Sequence, residues 1–144
     1  MEGTVTGGDS NKLGRNMMES MGQGRSTKWT GYQAQHIIPA EMAEHPILQK
    51  IGMDLNDASN GLFLQTPKDN ISTMSRHRGY HSIYNGFVKI QLDSMDVSQN
   101  VMILQEEVLT LQNNLKTLQQ SGLPIYPSQG ASIDLWQKSL DRIN

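Results

Sequence analysis

Four histidines, His36, His45, His77 and His81, are the residues of this chain whose chemistry and spacing could build a site. The 144 residues contain no cysteine. That excludes a disulfide scaffold, a zinc ribbon and a thiol nucleophile, so a bound metal must be held by His, Asp, Glu, Asn or Gln. His77 and His81 are four apart, a spacing that aims both imidazoles from one side of a helix and lets them share a cation. Arg76 and Arg78 flank this pair and could contact phosphates. Cleaving a phosphodiester needs a base to activate water and a cation to stabilise charge on the phosphate. A neutral imidazole suits the first task at physiological pH.

Positioning these groups falls to short elements. Tyr32 to Ile38 reads as an extended segment ended by Pro39, with His36 near its end. Ala40 to Glu44 can make a helical turn. Pro46 suits the first position of a short helix, Ile47 to Ile51, which stops at Gly52. His45 before it reads as a structural helix-start residue. Asn60-Gly61 reads as a turn dipeptide opening a second strand, Leu62-Phe63-Leu64. A helical pattern over Tyr80 to Met95 places Ile83, Phe87 and Ile90 on one face. Gly79 is a poor helix-interior residue, so that helix can begin after it, which makes His81 a safer ligand than His77. The layout is a histidine, an asparagine at a hairpin and a His-x-x-x-His at a helix start. It is that of two short strands and a helix clasping one cation.

The flanks carry packing rather than chemistry. Lys12 to Met21 suits a short helix with Leu13, Met17 and Met21 on one face. The Gly22, Gly24 and Ser26 stretch then reads as a linker. Ser98 or Asp96 can cap a long helix that runs to about Ser121. Its residues Val101, Leu104, Val108, Leu111, Leu115 and Leu118 form a heptad seam, widened by Met102, Ile103 and Leu109. The expected partner of that seam is the domain's own helices, ahead of helix-mediated self-association. Ile133 to Ile143 reads as a final amphipathic helix carrying Trp136 and Leu140. Trp29 and Trp136 read as packing residues.

Composition sets the bounds. The length suits one domain. Mean hydropathy is -0.51 and no apolar run approaches the ~18 residues of a membrane helix. Met1 to Ser10 is Gly/Thr-rich and does not read as a signal peptide. Net charge is -2, mildly against a generic nucleic-acid binder. Residues 1–89 nevertheless carry nine Lys and Arg against eight Asp and Glu, and residues 90–144 three against six. The first part is therefore the better place for an anionic substrate.

Roughly residues 30–90 resemble the AHH family of HNH/endonuclease VII-type nucleases, toxin domains at the C-termini of bacterial polymorphic toxins. The motifs that carry the resemblance are Ala34-Gln35-His36-Ile37-Ile38-Pro39, His45-Pro46, Asn60-Gly61-Leu62-Phe63-Leu64 and His77-Arg78-Gly79-Tyr80-His81-Ser82-Ile83-Tyr84. The resemblance implies a mostly helical α+β fold. Joined to the patterns read above, the expected organisation is a flexible lead with a short helix over 1–28, a ββα-metal core over 29–95, and C-terminal helices over 96–144 packed on the core in the same domain. The resemblance implies a metal-dependent endonuclease, of DNA ahead of RNA, with His36 as general base and Asn60 as the central Asn of the motif. His77 and His81 would be metal ligands. The cofactor would be one divalent ion, Mg²⁺ ahead of Zn²⁺, Mn²⁺ or Ni²⁺. The implied partner is a cognate immunity protein, and the implied place of action is the cytoplasm of a target cell after delivery.

One position departs from the pattern. Gln35 stands where the family has its first histidine, expected to be a metal ligand. Gln is a neutral, weak oxygen ligand and suits a hard, loosely held Mg²⁺ better than Zn²⁺. Three readings stand: a natural variant of an active enzyme, a degenerate inactive member, or a substitution that silences a toxic domain. The alternative function is accordingly a non-catalytic binding module on a nuclease fold.

Overall fold

The computed structural model describes residues 5–6, 9–29, 32–65, 82–123 and 130–143. The described residues form a mostly helical α+β structure around a two-stranded antiparallel sheet. Helix α1 (Ser10–Ser20) precedes strand β1 (Tyr32–His36). A 3-10 turn (Ala40–Glu44), helix α2 (Pro46–Ile51) and a second 3-10 turn (Ala58–Asn60) lead to strand β2 (Gly61–Gln65). Helices α3 (Ser82–Asp93), α4 (Val101–Gln120) and α5 (Ile133–Ile143) follow. No helix among the described residues is long and apolar enough to cross a membrane.

The register pairs Tyr32 with Gln65, Ala34 with Phe63, Gln35 with Leu62 and His36 with Gly61. Paired residues share a sheet face and consecutive residues alternate. Ala34, Phe63 and His36 therefore lie on one face, and Gln35 and Leu62 on the other. The first face packs on α1 through Leu13 and Met17. The second belongs to the main core, where Leu62 joins Leu48 of α2, Phe87 and Leu92 of α3, Leu104 and Leu115 of α4, and Trp136 and Leu140 of α5. Fully burying a side chain such as Phe87 is worth roughly 1.5–3 kcal/mol. Trp136 meets Tyr84 edge-on at 5.0 Å and Phe87 at 5.7 Å.

Several local expectations shift. α4 is capped by Asn100, whose Oδ1 accepts from Met102 N at 2.8 Å, rather than by Ser98 or Asp96. Asp96 is instead engaged by the Ser98 N–H and hydroxyl, a local turn that competes with capping. The buried face of α3 runs through Tyr84, Phe87, Val88 and Leu92, leaving Ile90 exposed. The seam of α4 is buried from Leu104 onward, while Met102, Ile103 and Leu109 stay exposed. The N-terminal lead is tied down: Thr6 N donates to Met53 O at 3.0 Å and Thr6 O accepts from Leu55 N at 2.8 Å.

Asn60-Gly61 is not a hairpin turn. Asn60 ends a 3-10 turn, and Gly61 has φ -121°, extended backbone open to any residue. Glycine is needed there for closeness, because a Cβ on Gly61 would run into the Met17 side chain and lie 2.9 Å from Leu13 Cδ1. With no side chain at position 61, Met17 and Leu13 of α1 pack directly against the sheet there.

Candidate functional site

His36 is the last residue of β1, half-buried beneath α1 and opposite Gly61. Its Nε2 lies 3.2 Å from Asn56 Oδ1. The Asn56 side chain is itself clamped, since the same Oδ1 accepts from Asp9 N at 2.9 Å. Asn56 N donates to Asp54 Oδ1 at 2.9 Å, and Asn56 O accepts from Asn16 Nδ2 at 2.7 Å. An oxygen that accepts from a backbone N–H can only accept from the imidazole as well, so His36 Nε2 carries the proton. That tautomer leaves the Nδ1 lone pair of a neutral His36 available as a base.

Asn60 is fully buried and all four hydrogen-bonding positions of its amide are used. Oδ1 accepts from Ile38 N at 2.8 Å and from Gln112 Nε2 at 3.0 Å. Nδ2 donates to Ile38 O at 3.0 Å and to Leu55 O at 3.1 Å. Its backbone O accepts from Ile37 N at 2.8 Å. The side chain thus continues the strand pairing after the ladder stops at His36, which is why β1 is shorter than the apolar run through Ile38. Asn60 holds the chain immediately after His36, with its whole amide engaged within the protein.

Tyr84 secures the same segment from the other side. Its hydroxyl donates to Ile37 O at 2.6 Å and accepts from Gln119 Nε2 at 2.8 Å. Burial pushes the Tyr84 phenol far above its ordinary pKa, opposed only in part by Gln119, so it stays a neutral donor. Gln112 and Gln119 were not anticipated as supports. Their signal was present, because two glutamines seven residues apart among the leucines of α4 share its buried face. Asn56 carried no such signal, since its role depends on three segments converging on it.

Gln35 is buried on the opposite face of β1 from His36. Its side chain makes no hydrogen bond among the described residues. His77, His81, Arg76 and Arg78 lie outside the described residues. Among the described residues there is no group of three His, Asp or Glu that could hold a metal. The described donors therefore do not by themselves fit a cation, and Gln35 is the single proposed ligand among them.

His45 stands apart from this constellation. Its Nδ1 accepts from Ile47 N at 3.2 Å, capping α2, and its Nε2 contacts Asp93 Oδ1 at 2.7 Å. Lys89, bonded to Asp93 at 2.9 Å, and then His45 hold the Asp93 carboxyl below the ordinary carboxylate range.

A family model described as AHH, a nuclease family of the HNH/ENDO VII superfamily with conserved AHH, matches residues 16–121. That span exceeds the motif-bearing stretch and takes in the last five residues of α1 and all of α4. No curated protein and no solved structure matches the chain.

Proposed function

Because the chain belongs to the AHH nuclease family of the HNH/endonuclease VII superfamily, a nuclease family whose substrate is nucleic acid, we propose that it is a metal-dependent endonuclease acting on DNA, with His36 as general base. The observation that carries this reading is the bond from His36 Nε2 to Asn56 Oδ1, which directs the free Nδ1 lone pair away from the clamp. His36 Nδ1 would take a proton from the attacking water while Asn56 keeps the ring oriented. Asn60 and Tyr84 hold Ile37 and Ile38, and so fix the strand end that carries the base.

In this reading a ββα-metal centre is completed by His77, His81 and Gln35. One divalent cation, Mg²⁺ ahead of Zn²⁺, Mn²⁺ or Ni²⁺, would supply charge stabilisation at the scissile phosphate. Arg76 and Arg78 would contact the substrate backbone. We also assign the chain to the toxin end of a delivered bacterial effector with a cognate immunity protein. Support for that assignment is the motif resemblance alone.

The test is plasmid nicking in each of the four metals, with EDTA and His36→Ala as controls. Metal-dependent nicking of wild-type protein, lost in His36→Ala, is the expected result. DNA and RNA left intact in all four metals would overturn it in favour of a binding module. The specific observation favouring that second reading is the burial of Gln35, a weak ligand in the family's first-histidine position.

A further inference from the structure

Beside the start of β1 lies a groove of about 480 Å³ lined by Arg15, Arg25, Lys28, Trp29 and Tyr32, among others. It adjoins a second hollow of about 380 Å³ that shares Lys28, Trp29 and Tyr32 and adds Phe63. Arg25 is bonded to Glu19 at 3.1 Å. Arg15 and Lys28 are exposed and pair with no carboxylate among the described residues. Tyr32 is 52% exposed, while Trp29 and Phe63 meet as a tilted pair at 5.6 Å. Gly14 makes this wall possible, because a Cβ there would fall 2.5 Å from the Trp29 ring.

The groove sits at the Tyr32 end of β1, and beyond it α1 covers the same sheet face, with Ala34 buried against Leu13 and Met17. Tyr32, Ala34 and His36 alternate on that face, and Phe63 stands opposite Ala34. At ~3.3 Å per strand residue, Tyr32 is about 13 Å from His36 along the strand. Cations for phosphates beside an exposed aromatic ring for an unstacked base are the parts of a single-strand site. A duplex, whose bases are already stacked, can use only the cations.

We propose that the groove of Arg15, Lys28 and Tyr32 binds a single-stranded segment of nucleic acid. That this strand is a substrate rests on the nuclease reading, whereas strand binding itself does not. The experiment is binding of labelled oligothymidylate by fluorescence anisotropy in EDTA, where cleavage is off. A duplex of equal length and polyglutamate serve as competitors. Wild-type protein should prefer the single strand to the duplex, and polyglutamate should not compete. Tyr32→Ala should weaken binding about tenfold. Lys28→Glu should lower the salt slope by about 0.7. Tyr32→Leu, which keeps apolar bulk and removes the ring, should bind as weakly as Tyr32→Ala.

Unchanged affinity in Tyr32→Leu and Lys28→Glu, tighter binding of the duplex, or competition by polyglutamate would each overturn the proposal. If the variants lose strand binding while wild-type protein cuts nothing, the groove stands and the nuclease reading falls. If wild-type protein cuts and both variants cut with unchanged KM, the groove falls alone.

Discussion

Gln35 and His36 are neighbours in sequence but leave β1 on opposite faces, Gln35 beside Leu62 in the main core and His36 beneath α1. Strand alternation makes this unavoidable wherever both remain in the ladder. A ligand at position 35 and a base at position 36 therefore approach a phosphate from different sides of the strand end. If Gln35 limits activity, Gln35→His should raise Mg²⁺-dependent nicking by roughly 10-fold or more, in line with the usual effect of restoring a ligand. No gain in a folded Gln35→His protein would remove position 35 from the metal site.

The clamp on His36 makes a prediction about tautomer. Nitrogen NMR of neutral His36 should show the proton on Nε2. Asn56→Ala should mix the tautomers and lower kcat by about 10- to 100-fold with little change in KM, because it loosens orientation and leaves binding alone. His36→Ala should lose about 10²- to 10⁴-fold. A proton found on Nδ1 would contradict the arrangement at once.

Asn60 should matter chiefly for stability. Asn60→Ala strands buried groups on Ile38, Leu55 and Gln112, each worth about 1–3 kcal/mol when left unpaired. Denaturant unfolding should show a loss of roughly 3 kcal/mol or more. A double-mutant cycle with Gln112→Ala should reveal coupling of about 0.5–3 kcal/mol. Additive losses would mean that the Asn60–Gln112 bond contributes nothing.

Tyr84→Phe removes one hydroxyl and leaves Ile37 O and Gln119 Nε2 facing an apolar edge. The expected cost is about 1–3 kcal/mol. Because Ile37 follows His36, nicking should also slow at temperatures where the variant is fully folded. A destabilised variant with wild-type kcat would separate Tyr84 from the base.

Acid should weaken the fold through carboxylates at helix ends. Backbone N–H groups of Lys12 and then Asn11 hold Asp9 below the ordinary range, and Lys89 and then His45 do so for Asp93. A depressed carboxyl stabilises the fold above its unfolded pKa, and that contribution fades as pH falls through the lower folded value. Melting temperature should hold from neutral pH to roughly pH 4 and then drop. Asp9→Asn keeps a cap without a titrating group and should make that drop shallower. An unchanged acid profile in Asp9→Asn would count against the effect.

Periodicity made much of the helical part legible. The α4 seam, the Trp136 and Leu140 face of α5 and the Pro46 start of α2 follow from local pattern, because one face of each must be buried. The role of Gly61 was not legible: a glycine after asparagine reads as a turn, and only the arrival of α1 shows why a side chain is excluded. Ile90 likewise fits an apolar stripe but faces outward, since where the other helices sit decides which stripe is covered.

By itself the sequence determined the chemical inventory: no thiol, four histidines in motif order, a glutamine at position 35 and helices amphipathic enough to need one another. Family membership rests on the match over residues 16–121. Only the tertiary structure decided that Asn56 carries the bond that sets the His36 tautomer and that Asn60 is spent on the backbone. It also brought Arg15 of α1, Lys28 and Tyr32 of β1 together around one groove. The physical reason is range. Side-chain type and helical period are local properties, whereas a clamp drawn from residues 9, 16 and 54, or a face shared by α1 and the hairpin, exists only once distant segments meet.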